Sequence, residues 1–136
     1  MVFVEDGKIL LVKANYKTAW TPPGGVVDHA ESPAAAAIRE TKEEIGISLS
    51  PDDISLLTVS YTHGQEGFTD RYAFIFRAHM VIGATPLQLQ EEEIEEAKWV
   101  PIEDMDQYIE GRQSYLALQQ MLLSGVTTPY IELNHA

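Results

Sequence analysis

The chain has 136 residues, contains no cysteine and carries a formal net charge of −12. The composition excludes disulfides and thiolate metal sites, and an acidic field of this size disfavours binding to nucleic acid backbones. No run of about 18 apolar residues occurs, so no membrane span is expected. The length of the chain suits a single domain over residues 1–136. Because the sequence has no cysteine and its start shows no secretory pattern, we expect this domain to be cytoplasmic.

The first elements in chain order are a hairpin and a loop. Apolar runs at 2–4 and 9–12 flank Asp6 and Gly7, a dipeptide that favours a tight hairpin turn. The first strand starts so early that it leaves room for a longer native N-terminus, and an exposed hairpin edge would suit a homodimer. The segment 21–25, Thr-Pro-Pro-Gly-Gly, must be a loop, because proline removes a backbone donor and glycine permits positive φ.

Signals at both ends then delimit one helix. Ser32 is a favourable N-cap, and Pro33 suits the first helical position. Gly46 fits the residue just past the C-terminal end of a helix. These signals predict a helix that runs through residues 34–45.

The second half of the chain predicts a mixture of strands and helices. Alternation of large apolar residues with period two indicates strands. The combination favours a mixed sheet with helices packed on it. The predicted elements are strands at 54–61, 71–81 and 97–100, a turn at 64–67, an acidic segment at 90–96, and helices at 101–109 and 114–123.

Three glutamates share one face of the predicted helix. At about 100° per residue, Glu40, Glu43 and Glu44 lie within an arc of roughly 100°, and Ala36, one turn earlier, is expected to leave open space beside them. Like charges three and four residues apart repel each other, and a divalent cation would turn that repulsion into attraction. Oxygen ligands without Cys or His select Mg²⁺ or Mn²⁺. The opposite face, which we expect to pack on the sheet, consists of Ala34, Ile38, Thr41 and Ile45.

The spacing of residues 25–47 changes the interpretation of this face. For the three glutamates alone, a solvated acidic surface is the more common explanation. The complete pattern, however, resembles the Nudix box: Gly, five residues, Glu, seven residues, Arg-Glu, aliphatic, any, Glu-Glu, any, Gly, aliphatic. Thr41 departs from the aliphatic position, although its methyl group can still pack. The matching residues are Gly25, Glu31, Arg39, Glu40, Glu43, Glu44, Gly46 and Ile47.

The resemblance to Nudix hydrolases implies a fold, a reaction and a set of site residues. The implied fold is α+β, an α/β/α sandwich with a mixed β-sheet. The implied reaction is hydrolysis of a phosphoanhydride bond in a nucleoside diphosphate linked to another group, so the partner is a small nucleotide. The implied metal site consists of Glu40, Glu43, Glu44 and the main-chain carbonyl of Gly24, with Glu31 and Arg39 supporting the loop and the helix.

The carboxylate that removes a proton from the attacking water has two possible sources. One is the box helix, through Glu43 or Glu44. The other is the acidic run 91–96, because similar proteins often carry a mobile carboxylate before the strand that contains a Trp like Trp99. Glu93 occupies the matching place and is our preferred base and an additional metal ligand. A solvated charge run is about equally common for any single glutamate there.

The substrate is less well defined by the sequence. Tyr16 and Trp20 flank the entry loop and are the best candidates to stack on a base. Tyr61, Phe68 and Tyr72 are further candidates, but most aromatic residues at strand positions belong to the core, and Tyr72 and Phe74 follow the core pattern. Marks typical of ADP-ribose and coenzyme A hydrolases are missing, which favours nucleoside triphosphates, including oxidised ones. ADP-ribose and nucleotide sugars stay open.

Three other classes compete with hydrolysis. A nucleotide-binding domain without turnover usually lacks one of the box carboxylates, and all of them are present here. A calcium-binding module would favour an Asp-rich loop with a central Gly, which the chain lacks. An isomerase of the same fold would require further ligands such as Cys.

Overall fold

The computed structural model describes residues 1–67 and 69–134, which include seven strands and two α-helices. Phe68 and His135 lie outside the described residues. In the part described, no helix combines the length and apolar character that crossing a membrane requires. The elements are β1 (Val4–Glu5), β2 (Lys8–Ala14), β3 (Trp20–Thr21), α1 (Pro33–Ile45), β4 (Ile54–Thr62), β5 (Arg71–Ala78), β6 (Ile94–Pro101), α2 (Gln113–Ser124) and β7 (Tyr130–Leu133), with 3₁₀ turns at Pro51–Asp53 and Ile102–Gln107.

An antiparallel sheet is built around β2. The predicted hairpin is confirmed: β1 pairs with β2, and Asp6 and Gly7 both adopt positive φ, as the tight hairpin turn requires. β2 also pairs with β3 and, along most of its length, with β6. The entry loop after β3 is therefore attached directly to the central strand.

The second sheet is mixed, as predicted from the sequence. β4 pairs antiparallel with β5 and parallel with β7. An isolated parallel bridge joins Val2 to Arg77 at the end of β5, so the chain segment before β1 links the two sheets. Together with the two helices this arrangement confirms the α+β sandwich.

The core is divided into two apolar clusters that share β2. Successive side chains of a strand point to opposite faces, so Leu10 and Val12 enter the cluster beneath α1, and Ile9 and Leu11 enter the cluster beneath α2. All four residues are buried. β2 therefore serves as the common wall on which the rest of the domain is packed.

Helix α1 has the predicted boundaries. The Ser32 hydroxyl accepts a hydrogen bond from the Ala35 N–H, and Gly46 adopts the left-handed conformation at the C-terminal end. Thr41 and Ile45 are fully buried against the core, which confirms the packing face. Ala36 is only 2% exposed, so the prediction of open space beside it is wrong: the small side chain lets neighbouring atoms close over the helix.

Three elements of the second half differ from the sequence prediction. β6 starts at Ile94 rather than at residue 97, because the acidic side chains near its start face solvent while its backbone pairs with β2. The segment 102–107 forms a 3₁₀ turn instead of a longer helix. β7 was not predicted, because its four residues become a strand only through long-range pairing with β4.

Replacing Gly46 by Ala should destabilise the protein more than replacing Gly125 by Ala. Both glycines end a helix with similar positive φ, +76° and +72°, so both variants incur about 1–2 kcal/mol of backbone strain. A Cβ at Gly46 would also lie 2.8 Å from Gln88 Cβ, whereas a Cβ at Gly125 meets nothing within 4 Å. Urea unfolding of both variants measures the difference. Equal losses of stability would contradict the tight contact between the end of α1 and the segment around Gln88.

Candidate active site

A cavity open to solvent lies between the loop after β2, the entry loop and the start of β6. Its lining includes Tyr16 and Lys17 from the loop after β2, Gly24 from the entry loop, and the acidic residues Glu44 and Glu93. Local sequence produces this arrangement. The Pro-Gly segment turns sharply after β3, which brings its backbone over the C-terminal half of α1.

Glu44 is a buried carboxylate at the base of this cavity. Its residue is 6% exposed, and its Oε2 accepts a hydrogen bond from the Gly24 N–H at 3.1 Å. The pKa of Glu44 is raised to about 7: burial is the largest cause and the charges of Glu40 and Glu93 add to it, while the Gly24 N–H and the Met1 amino group offset part of the effect. Within residues 1–67 and 69–134, no Lys or Arg side chain forms an ion pair with Glu44. Among these residues, therefore, no Lys or Arg side chain neutralises Glu44 when its carboxyl group is ionised.

Glu40 lies against the backbone of the entry loop. A Cβ at Gly25 would overlap the Glu40 carboxyl group, so the glycine is required for this close approach. The same carboxylate accepts a hydrogen bond from Arg39 Nη1 at 3.0 Å. The Gly24-Gly25 segment thus contacts two carboxylates of α1, one through each residue.

Arg39 connects the loop before α1 to the helix. Its Nε and Nη2 donate to the two oxygens of Glu31 at 2.8 and 3.0 Å, and its Nη2 also donates to the Val26 carbonyl at 3.2 Å. Its Nη1 is shared between Glu40 and Glu43, at 3.0 and 3.3 Å. The hydrogen bond from Arg39 lowers the pKa of Glu31. This geometry is consistent with a supporting role for Glu31 and Arg39.

The three glutamates of α1 do not occupy one common environment. The Glu43 side chain is half exposed and turned towards Arg39, whereas Glu44 is buried beneath the entry loop. Glu40 stands between them, since it shares Arg39 with Glu43 and its charge acts on Glu44. Among the described residues no three acidic or histidine side chains are close enough to enclose an ion. The prediction of one compact carboxylate cluster is therefore wrong for these side-chain positions.

Glu93 reaches the cavity from the acidic segment before β6. Its carbonyl accepts a hydrogen bond from the Asn15 N–H at 2.8 Å, and the Asn15 side chain donates to the Glu91 carbonyl at 3.1 Å. These bonds hold the acidic segment against the loop after β2. Glu93 is the residue of its run that lines the cavity together with Glu44.

The two aromatic candidates for substrate stacking have different positions. Tyr16 is 77% exposed and lines the cavity. Trp20 does not line it: its ring packs edge-on against Tyr108, with centroids 5.9 Å apart, and belongs to the cluster beneath α2. The structure therefore corrects the prediction for Trp20, whose apolar ring is used to fix β3 on the core.

Other aromatic residues, and one lysine, also differ from expectation. Tyr72 and Phe74 were assigned to the core, but they are 63% and 42% exposed, because α1 covers only the far end of β5. Phe68 lies outside the described residues. Lys17 was missed: of the residues that the structure describes, it is the only basic one that lines the cavity, and a single loop lysine carries no sequence signal of its own.

Comparisons with known proteins agree with this fold. Nudix hydrolase 10 of Arabidopsis thaliana is 39% identical over 85 residues, which is 62% of this chain and 29% of that protein. The ADP-ribose pyrophosphatase of Bacillus subtilis is 29% identical over 120 residues, covering 85% of this chain and 63% of that protein. The chain thus spans less than two thirds of the length of either relative.

A solved structure and a family model cover more of the chain. The crystal structure of a MutT NUDIX hydrolase from Burkholderia pseudomallei superposes with a TM-score of 0.70 and 27% identity, over 88% of this chain and 91% of that one. The model of the NUDIX domain matches residues 1–119. Since the signature, the fold and the family model agree, the chain belongs to the Nudix family of hydrolases, whose members generally use divalent metal cations.

Proposed function

We propose that this chain hydrolyses a phosphoanhydride bond in a nucleoside diphosphate linked to another group, and that the reaction requires Mg²⁺ or Mn²⁺. The observation that carries the proposal is the buried Glu44 carboxylate, held by the Gly24 N–H in a cavity that Glu93 also lines. A carboxylate with a pKa of about 7 is only partly ionised at neutral pH, and a bound cation would favour its charged form.

The donors around Glu44 are of the type that a hard divalent cation binds, and their side chains would have to move closer together to enclose it. Carboxylates and main-chain carbonyls are the donors that Mg²⁺ prefers, and Glu40, Glu44, Glu93 and the Gly24 carbonyl supply both types. Glu43, on the same helix, would complete the set from its position beside Arg39. A divalent cation bound here would neutralise diphosphate oxygens and activate water for attack at phosphorus.

The chain's own residues position the metal ligands, accept the proton from water and contact the substrate. Arg39 holds Glu31, Glu40 and Glu43 in place, so the loop and the helix keep a fixed spacing. Glu93 accepts the proton from the attacking water, because it is a solvent-exposed carboxylate that lines the cavity. Tyr16 offers an exposed ring to the base, and the Lys17 ammonium faces the phosphates with opposite charge.

The substrate has two leading candidates. Missing subfamily marks in the sequence favour nucleoside triphosphates, including oxidised ones. The Bacillus subtilis relative, named as an ADP-ribose pyrophosphatase, favours ADP-ribose. Nucleotide sugars are the third class to test.

The decisive experiment measures phosphate or pyrophosphate release with Mg²⁺ from nucleoside triphosphates, ADP-ribose, nucleotide sugars and dinucleoside polyphosphates. We expect turnover of at least one class, abolished by a chelator and restored by Mg²⁺. Nucleotide binding without any turnover would contradict hydrolysis and favour a binding domain. Glu44→Gln should lower turnover at least about 100-fold, as expected for a lost metal ligand.

Glu93→Gln should lower kcat by about 10²–10⁴-fold, the usual contribution of a general base. Glu92→Gln is the matched control, since Glu92 is exposed in the same acidic run and does not line the cavity. It should keep the kcat of the parent protein. Steady-state kinetics on both variants measures the difference, and equal kcat values for the two would remove Glu93 from the role of base.

Glu44→Gln should stabilise the metal-free protein at pH 8 but not at pH 4. In the folded state Glu44 keeps its proton up to a pKa of about 7, against 4.5 for an ordinary glutamate. The folded protein therefore loses stability as pH rises through this window, and the loss is complete above it. This difference corresponds to about 3 kcal/mol at pH 8. The neutral amide avoids this cost and still accepts from the Gly24 N–H.

Thermal unfolding at pH 4 and pH 8, with and without Mg²⁺, measures this effect. Mg²⁺ should raise the Tm of the parent protein at pH 8 and have a smaller effect on the variant. A variant that is less stable than the parent at pH 8 in the absence of metal would show that burial does not destabilise the Glu44 charge.

A further inference from the structure

A second cavity, also open to solvent, lies between the start of β5 and the start of α2. It is formed where Arg71 and Thr62 pair across β5 and β4 and face the first turn of the helix. The proposed hydrolytic site uses none of its residues. The residues that line this second cavity are Thr62, Arg71, Arg112, Gln113, Ser114 and Asn134.

Every side chain that lines this second cavity carries at least one hydrogen-bond donor. Two arginines are joined by two hydroxyls and two carboxamides, each of which can donate. No acidic side chain of the described residues lines it, and none forms an ion pair with Arg71 or Arg112. The chain as a whole has 21 acidic and 9 basic residues. A cavity lined by two arginines and by no acidic side chain of the described residues is therefore opposite in charge to the chain as a whole.

The arginines are held in a way that leaves their donors available. The Arg112 guanidinium stacks over the Tyr115 ring, 4.7 Å from its centroid, and a stacked guanidinium keeps its N–H edges free. α2 has no side-chain cap on its first turn. The Tyr115 N–H donates to the Arg112 carbonyl, so the N–H groups of Gln113 and Ser114 are those that can add to the donors of the cavity. An oxyanion would satisfy both arginines and the helix end.

Tyr115 also relates this cavity to the candidate active site. Burial raises the pKa of Tyr115, and the charges of Arg112, Glu44 and Arg71 all act on its hydroxyl. The charges of both arginines and of Glu44 therefore act on the same half-buried side chain.

We propose that this cavity is a second ligand site, in which Arg71 and Arg112 bind a phosphate group. Planar guanidinium groups suit the tetrahedral oxygens of phosphate, because they can donate two parallel hydrogen bonds. The phosphate comes either from a distal phosphate monoester of the nucleotide substrate or from free inorganic phosphate. The chemistry of recognition is the same for both sources.

The test measures binding of inorganic phosphate by calorimetry to the full chain without divalent metal, at constant ionic strength. We expect saturable binding, weakened at least tenfold in Arg71→Gln and in Arg112→Gln. Arg77→Gln, which removes the same charge from the same strand but outside the cavity, should keep the affinity of the parent protein. No saturable binding, or equal affinity in all variants, would overturn the proposal. Since no turnover is involved, this result is independent of the proposed hydrolysis.

Kinetics then identify the source of the phosphate. Two nucleoside diphosphate derivatives are compared that differ only in a phosphate monoester on the ribose. If the substrate supplies the phosphate, Arg71→Gln should raise KM at least tenfold for the phosphorylated compound alone. If free phosphate is the ligand, KM should stay unchanged for both compounds while phosphate binding is lost. Both outcomes retain the site and assign its occupant.

Discussion

The contact between the Gly24-Gly25 backbone and the carboxylates of α1 is the constraint on which the candidate site depends. Gly24 donates to the buried Glu44, and Gly25 makes room for Glu40. This approach requires a glycine at Gly25, where a Cβ would overlap the Glu40 carboxyl group, whereas a Cβ at Gly24 would meet only ordinary contacts. The burial that raises the pKa of Glu44 follows from this approach. A cation is the simplest partner for charges brought together in this way.

Arg39 neutralises the carboxylates next to this contact. It provides a permanent positive charge for Glu31, Glu40 and Glu43, so the acidic helix can fold without any added ion. Glu44 is left without such a partner among the arginines and lysines of the described chain. Arg39 thus neutralises the other three carboxylates, whereas the Glu44 carboxylate stays available for an external positive charge.

The parts of the fold that local signals control could be predicted from the sequence. Ser32 and Gly46 mark the ends of α1, and Asp6-Gly7 marks the hairpin, because caps and turns depend on a few adjacent residues. Side-chain environments could not be predicted, since they depend on long-range packing. Spacing put Glu43 and Glu44 on one face, but the entry loop buries only Glu44. The pairing of β4 with β5 and the position of α2 likewise create the arginine cavity from separate segments.

The central claim is that a divalent cation binds between the entry loop and α1, and anomalous scattering from crystals grown with Mn²⁺ tests it most directly. We expect a strong peak about 2.1 Å from oxygens of both Glu40 and Glu44, the distance that hard cations of this size adopt. Soaking with a chelator should remove it. Saturating Mn²⁺ that leaves Glu44 uncontacted, or binds only along the exposed run 91–96, would contradict the account.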